Sequence, residues 1–391
     1  MTISIIIISY NVKYFLEQCL CSVTAATSEF EVEIIVIDNA STDNSITYLK
    51  PLFPQVIFIQ NKTNEGFAKA NNRALEQASG NYTLFLNPDT ILAEDTLIQC
   101  LSFFQKTPNA GAVGVRMIDG SGTFLPESKR SFPSPKVSFY KLAGLSGLFP
   151  KSKRFGRYAL GNLDEKEVHE IDVVAGAFMM IPKETLDETG GFDEQFFMYA
   201  EDIDLSYRIQ KKGYQNYYLG NVTIVHFKGE STKKGSLNYV KVFYNAMNVF
   251  VKKWYNGGSA WLLRQGLQLG IVVRGLVSIV ALPFQKKKTK QPVYFEKILL
   301  LGSKKETVQA KEIVANSYPE KSIIDQQNIS ELGYFFRGQM IVFCISELSY
   351  KRTIELLQQT TANSYKWFGK NSNCIVGSVN KNSTGEVIIG K

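Results

Sequence analysis

Apolar residues in the first ninety positions fall into short continuous runs separated by stretches with helical spacing. Ile3 to Ser9 is a β-branched run, the pattern of a strand buried on both faces of a parallel sheet. Phe15, Leu16, Cys19, Leu20 and Val23 then recur at helical spacing and predict a helix over Val12 to Thr24. Glu33 to Ile37 is the next strand, ending at Asp38. Ser41 is placed to cap a helix beginning near Thr42, with Pro51 and Pro54 closing it. Val56 to Gln60 is a third strand, and Asn64 precedes a helix carrying Phe67, Ala70, Ala74, Leu75 and Ala78. Tyr82 to Leu86 is a fourth strand, ending at Asn87-Pro88-Asp89. Repeated βα units predict an α/β fold, an open sheet with helices on both faces. Ligands of such sheets bind beyond the carboxyl ends of the strands, where Asn11, Asp38 and Asp89 fall.

The pattern then changes. Between Ser121 and Gly161 four prolines stand among Ser, Lys and Gly, which reads either as a substrate-facing excursion or as an ordinary long loop. Regular patterning resumes at Ile171 to Pro182 and continues to about Trp254. Trp261 to Phe284 is strongly apolar, interrupted by Arg264, Gln265, Gln268 and Arg274 and followed by Lys286 to Lys288. It reads as a helix lying in a membrane interface, or as one packed between two domains. From Val293 an α/β pattern returns, with strands at Lys297 to Leu301 and Met340 to Ile345 and helices at Glu306 to Ala315 and Tyr350 to Thr360. The expected organisation is a first domain over 1–255, a helical linker over 256–292 and a small α/β domain over 293–391. Gly302-Ser303-Lys304 follows the strand of that last domain where a G-x-G-x-x-G would be needed. It therefore reads as a Rossmann-like accessory unit without NAD.

Composition narrows the partners. With 45% hydrophobic and 20% charged residues the chain is a folded globular protein, and its formal charge of +8 points to anionic ligands. The basic residues gather at Lys151 to Arg157, Lys252 to Lys253 and Lys286 to Lys290 with little aromatic interleaving. A membrane surface or a diphosphate fits this better than single-stranded nucleic acid, and no nucleic-acid partner is expected. Five cysteines with no C-x-x-C pair read as buried thiols in a reducing compartment. The apolar N-terminus lacks a basic n-region, so the expected location is the cytoplasm.

Candidate chemistry lies at the predicted strand ends. Asp38, in VIDNASTDNS, can accept hydrogen bonds from a base or ribose, or simply form an Asx turn. NEGFAKANNRA puts Asn64, Gly66 and Lys69 around a helix start, which suits a phosphate. Asn87-Pro88-Asp89 holds a carboxylate on a rigid turn, where it can reach a hard divalent cation. In GGFDEQFFMYAEDIDLSYR, Glu201, Asp202 and Asp204 open an amphipathic helix behind an aromatic lead-in. Helix capping accounts for acids there, but a carboxylate between apolar walls and a helix start is also a tunable base. His226 follows the predicted strand Val222 to Val225 and reads either as structural or as a metal ligand.

Taken in order, IISYN with CLCSV, VIDNASTDNS, NEGFAKANN, LFLNPDT, GAFMMIP, GGFDEQFFMYAEDIDLSYR and VHFKGEST resemble the family 2 glycosyltransferases of GT-A fold, near their bacterial rhamnosyltransferase-like branch. The resemblance covers about residues 1–255. It implies an inverting, metal-dependent transferase that moves a sugar from a nucleotide-diphosphate donor onto a glycan or lipid-linked glycan acceptor. The segment Trp261 to Phe284 is expected to attach the enzyme peripherally to the inner face of the cytoplasmic membrane. By the resemblance, Ser9, Tyr10, Asn11 and Asp38 hold the nucleoside and Asp89 is the aspartate of a D-x-D metal motif. Asp202 is the general base, beside Glu201, and His226 is a second ligand for Mg²⁺ or Mn²⁺. Asn87-Pro88-Asp89 departs from the motif by one asparagine, which leaves fewer charged ligands. The branch suggests dTDP-L-rhamnose as donor, with UDP-hexoses and UDP-galactofuranose open. A sugar nucleotidyltransferase shares the opening βα pattern but begins with a glycine-rich, arginine-containing loop, and Ser9-Tyr10-Asn11 offers none. An inactive nucleotide-sugar-binding scaffold is the remaining alternative.

Overall fold

The computed structural model describes residues 2–29, 31–134, 136–137, 140, 144–227, 237–255, 265–266, 295–326, 335–378 and 385–390. Nearly all of the apolar segment Trp261 to Phe284, the run Lys286 to Lys290 and the turn Gly229 to Thr232 lie outside the described residues. Among the described residues, no helix is long and apolar enough to cross a membrane.

The first sheet contains β1 (Thr2–Ser9), β2 (Glu31–Asp38), β3 (Val56–Gln60), β4 (Tyr82–Leu86), β5 (Thr90–Ile91), β6 (Ala110–Ile118), β7 (Val168–Ile171), β8 (Phe178–Pro182) and β9 (Gln215–His226). Their order is β3-β2-β1-β4-β8-β6-β9-β5, with β7 on β9. Strands β1 to β4 run parallel, and β8 enters antiparallel between β4 and β6. Side chains of β1 alternate between two cores, as the strand's period of two requires. Ile3, Ile5 and Ile7 pack with Leu16, Leu20 and Val23 of α1 (Lys13–Ala26). Ile6 and Ile8 pack on the opposite face with Ala68, Ala70 and Ala74.

Helix α2 (Ser45–Leu49) starts three residues later than Ser41 and Thr42 predict, because side chains hold the preceding stretch in a turn. Ser41 Oγ accepts the Asn11 N–H at 2.9 Å, and Asp43 accepts the N–H groups of Lys13 and Ser45 at 3.0 and 3.1 Å. Local bonds of this kind compete with helix initiation. Helix α3 (Phe67–Leu75) ends before Ala78. The series continues with α4 (Thr96–Lys106), α5 (Lys183–Thr189), α6 (Glu201–Lys211) and α7 (Leu237–Trp254).

A second sheet, ordered β11-β10-β12-β13-β14-β15, follows. Its strands are β10 (Lys297–Leu301), β11 (Ser322–Gln326), β12 (Phe335–Cys344), β13 (Thr361–Phe368), β14 (Cys374–Gly377) and β15 (Glu386–Ile389), with helices α8 (Lys304–Ser317) and α9 (Tyr350–Gln359). This unit is docked on the first. Gln18 of α1 donates to Ser372 Oγ at 2.7 Å and accepts the Gly369 N–H at 2.8 Å. Glu94 accepts the Tyr350 N–H at 2.7 Å, and Arg116 donates to Gln358 at 2.7 Å. One apolar cluster runs through both units, joining Val12, Phe15 and Phe227 to Phe343, Tyr350 and Trp367. Buried polar bonds and a shared core together make a fixed junction.

Candidate active site

The carboxyl ends of β1 and β4, the start of α6 and the end of β9 open onto one cleft of about 560 Å³. Tyr10, Asn64, Gly66, Asn87, Asp89, Glu201, Asp202 and His226 all line it. Ser9, Asn11, Asp38 and Lys69 do not. Ser9 is wholly buried. Asn11 adopts left-handed backbone and accepts the Thr42 N–H at 2.7 Å, while Asp38 Oδ2 accepts the Ser41 N–H at 3.1 Å. These two residues shape the loop at the cleft edge. Asp38 Oδ1 is buried and has no partner among the described residues. Lys69 points to solvent on α3 and pairs with Glu65 at 3.7 Å.

The helix start at Gly66 is also engaged by protein. Its N–H donates to Asn64 Oδ1 at 3.0 Å, and the Phe67 N–H donates to the Phe197 carbonyl at 2.7 Å. A phosphate would have to displace both. Gly66 itself is required there, because its φ is +84° and a Cβ would sit 2.5 Å from the Phe197 carbonyl oxygen. Asn39, which the sequence reading missed, lies on the cleft wall and ties the two segments together. Its amide donates to Asn64 Oδ1 at 2.9 Å and accepts from Asn61 at 3.0 Å.

On the opposite wall two consecutive left-handed residues, Tyr199 and Ala200, turn the chain so that α6 begins in the cleft. Backbone in that region is strained for residues with a Cβ and persists because packing imposes it. Here Phe196, Ala200 and Ile203 pack against Ala246, Phe250 and Val251 of α7. Of the three acids, Asp204 turns away from the cleft. It is fully buried and held by Arg208 at 2.8 Å, Lys253 at 2.8 Å and the Trp254 indole at 2.7 Å. Asp202 faces the cleft, where it accepts the N–H groups of Gly176 at 3.1 Å and Ile203 at 2.8 Å and forms an ion pair with Arg130. Burial works against the Arg130 charge, but the Asp202 carboxylate outweighs it and holds the guanidinium charged. Glu201 is buried, and its Oε2 has no partner among the described residues. Desolvation, reinforced by the neighbouring Asp202 charge, pushes its carboxyl up to about 8.

The third part of the cleft is the Asn87–Asp89 turn against the end of β9. His226 is the last residue of β9 rather than the residue after it, paired across to Thr90 of β5. Its Nε2 lies 3.3 Å from Asp89 Oδ1 and 3.3 Å from the Asn87 amide. Its Nδ1 is buried without a partner among the described residues. Among those residues no group of three His, Cys, Asp or Glu side chains comes together to hold a metal. An Asp–His pair of this kind fits a divalent cation only if phosphate oxygens and water complete its shell. The residue after His226 anchors the site to the C-terminal unit. Phe227 donates its N–H to the Asp89 carbonyl at 3.0 Å, and its ring packs edge-on against Trp367 at 5.3 Å.

Residues 4–188 match the family model described as glycosyl transferase family 2. The protein carries a family 2 glycosyltransferase domain. An N-acetylglucosaminyl-diphospho-decaprenol L-rhamnosyltransferase from Mycobacterium tuberculosis is 26% identical over 280 residues, covering 68% of this chain and 90% of that protein. A poly-β-1,6-N-acetyl-D-glucosamine synthase from Staphylococcus aureus is 26% identical over 218 residues, covering 55% of this chain and 47% of that one. Among solved structures, a mannosyltransferase from Pyrobaculum calidifontis in complex with GDP-Man and Mn²⁺ is similar at 18% identity with a TM-score of 0.44. It covers 71% of this chain and 74% of its own. The family 2 domain is a glycosyl-transferring enzyme built on a mixed, parallel-rich sheet.

Arg130 and Tyr158 escaped the sequence reading of this family 2 domain, although both line the cleft. They come from the loose Ser121 to Gly161 stretch, whose one signal was a set of basic and aromatic residues with no acid among them between Glu127 and Asp164. The Glu201 carboxyl makes a prediction of its own. Its folded value lies above the ordinary 4.5, so the native state binds the extra proton. Stability should therefore fall as pH rises from 4.5 towards 8 and level off above. Glu201→Gln should flatten that slope, melting several degrees above wild type in alkaline buffer and together with it below pH 4.5. Parallel melting curves for the two proteins across the whole range would refute the assignment.

Proposed function

We propose that the enzyme moves L-rhamnose from dTDP-L-rhamnose, with inversion, onto a lipid-linked saccharide at the inner face of the cytoplasmic membrane, in the synthesis of a cell-envelope polysaccharide. The observation that carries the chemistry is that one cleft holds the Asp89–His226 pair and the Asp202–Arg130 pair. Support for the donor and acceptor comes from the mycobacterial relative, whose name specifies rhamnosyl transfer to a lipid-linked N-acetylglucosaminyl diphosphate.

In this reading Tyr10, Asn39 and Asn64 form the nucleoside wall, and Asp38, outside the cleft, shapes the loop at its edge through Ser41. Asp89 and His226, with Asn87 beside them, are the residues that would hold Mg²⁺ or Mn²⁺. The ion, when bound, neutralises the diphosphate as it departs. Asp202 takes the proton of the acceptor hydroxyl while that oxygen attacks the anomeric carbon and the bond from carbon to the diphosphate oxygen breaks. Arg130 is a positioning residue that keeps the Asp202 carboxylate turned into the cleft. Burial and the neighbouring Asp202 charge hold Glu201 protonated to a higher pH than an ordinary glutamate, which lessens the negative charge beside the incoming diphosphate.

A panel of radiolabelled donors, dTDP-rhamnose, UDP-N-acetylglucosamine, UDP-hexoses and UDP-galactofuranose, tests the reading through slow hydrolysis and transfer. The expected result is fastest metal-dependent turnover of dTDP-rhamnose. Preference for a UDP-sugar would reassign the donor, and turnover of none would favour the inactive scaffold.

A further inference from the structure

We propose that the loop between Glu127 and Asp164 carries a docking surface for an anionic phospholipid membrane, built from Leu148, Phe149, Lys151, Lys153, Arg154 and Arg157. Between those two acids the sequence has no Asp or Glu and eight Lys or Arg, as many as the formal net charge of the whole chain. At its tip, after one helical turn Leu145–Leu148, Leu148 is 73% and Phe149 52% exposed. All four basic residues just beyond them are exposed as well. Two large apolar side chains displayed beside four cations are a poor surface for water. They fit a headgroup region, where the apolar groups enter the acyl boundary and the cations meet lipid phosphate.

The tip is held in shape. Phe155 packs on Phe149 and Tyr140 at 5.7 and 5.1 Å, Arg154 stacks over Tyr140, and Ser146 Oγ donates to the Phe155 carbonyl at 2.7 Å. Gly156 and Gly161 allow the chain to close on itself, since a Cβ at either would meet the Pro150 carbonyl oxygen at 2.0 Å. The same loop turns its other side inward, where Arg130, Tyr158 and Ala159 line the catalytic cleft. A membrane seated on the tip would therefore lie beside the cleft wall that carries Asp202 and its partner. The proposal rests on the reading above only for its purpose, delivery of a lipid-linked acceptor to that base. The surface itself stands on exposure and charge.

The experiment is co-sedimentation of the full chain with vesicles of phosphatidylcholine alone and of phosphatidylcholine mixed with phosphatidylglycerol, at low and high salt. Wild type should pellet with the mixed vesicles only and be released by salt. Lys151→Gln with Lys153→Gln should weaken binding roughly tenfold or more and reduce its salt dependence. Leu148→Ser should weaken binding with the salt dependence unchanged, and it removes an exposed side chain, so melting should stay at the wild-type temperature. Binding to neither vesicle would overturn the proposal. So would variants that pellet like wild type, which would place membrane contact elsewhere in the chain. No sugar nucleotide or acceptor is present in these arms, so they succeed or fail independently of the transfer reaction.

Discussion

Asp202→Asn should lower glycosyl transfer by roughly 10²-fold or more, the usual contribution of a positioned base. The amide keeps the size of the carboxylate but cannot take the proton of an attacking hydroxyl. It also presents an NH₂ group where Gly176, Ile203 and Arg130 all donate, so one of those contacts must be lost. Leaving Arg130 without its anion carries a folding penalty, because a buried charge without its counter-charge is costly. The two effects separate in measurement. Melting temperature reports the penalty, while nucleoside-diphosphate affinity should stay within a few-fold of wild type because the change lies on the acceptor side. Asp202→Glu, which restores a carboxylate, should recover part of the rate. Wild-type turnover in a folded Asp202→Asn enzyme would move the base elsewhere, and Glu201 would be the next residue to test.

Asp89→Ala should abolish the benefit of a divalent cation. In wild type, EDTA should stop transfer, and a nucleoside diphosphate should bind more tightly with Mn²⁺ than without. The Asp89 carboxylate is buried beside His226 Nε2, and both side chains line the cleft. Losing it removes the one carboxylate of the pair, the hard anionic oxygen a divalent cation would bind. The expected loss in metal-dependent diphosphate affinity exceeds the roughly 10–100-fold that substitutions of outer-shell groups cost. Binding of the nucleoside monophosphate should change far less. Calorimetry with both ligands, with and without Mn²⁺, reads the difference. Equal losses for the two ligands would separate Asp89 from any cation and leave it a structural partner of His226.

How much of this site was legible in the chain depends on the range of the interactions involved. Strand ends were legible because a buried parallel strand must be a continuous apolar run, and its first polar residue then marks the sheet edge. Ser9, Asp38 and Asn87 were found in this way. That local logic also put Glu201, Asp202 and His226 near the strand ends and helix starts that line the cleft. Which side chain faces the cleft is a different question. Asp202 and Asp204 lie about 200° apart around α6, so only one can face the donor, and packing of α7 against the helix decides which. Lys69 lies outside the cleft because its place on α3 turns it to solvent, beside Glu65.

What tertiary structure alone decided is the set of partners brought from far along the chain. Arg130 reaches Asp202 across 72 residues of sequence, and Gln18 reaches Ser372 across 354. No hydrophobic period encodes such pairings, because a single buried ion pair or amide bond leaves no pattern in its neighbours. The sequence by itself determined where the sheet ends and which acids and histidine stand at its edge, since burial of β-branched runs has few solutions. The fold decided which acid pairs with Arg130 in the cleft and which is buried and holds its proton to higher pH. Burial and the nearby Asp202 charge, which together raise the Glu201 carboxyl, exist only once the chain has closed around it.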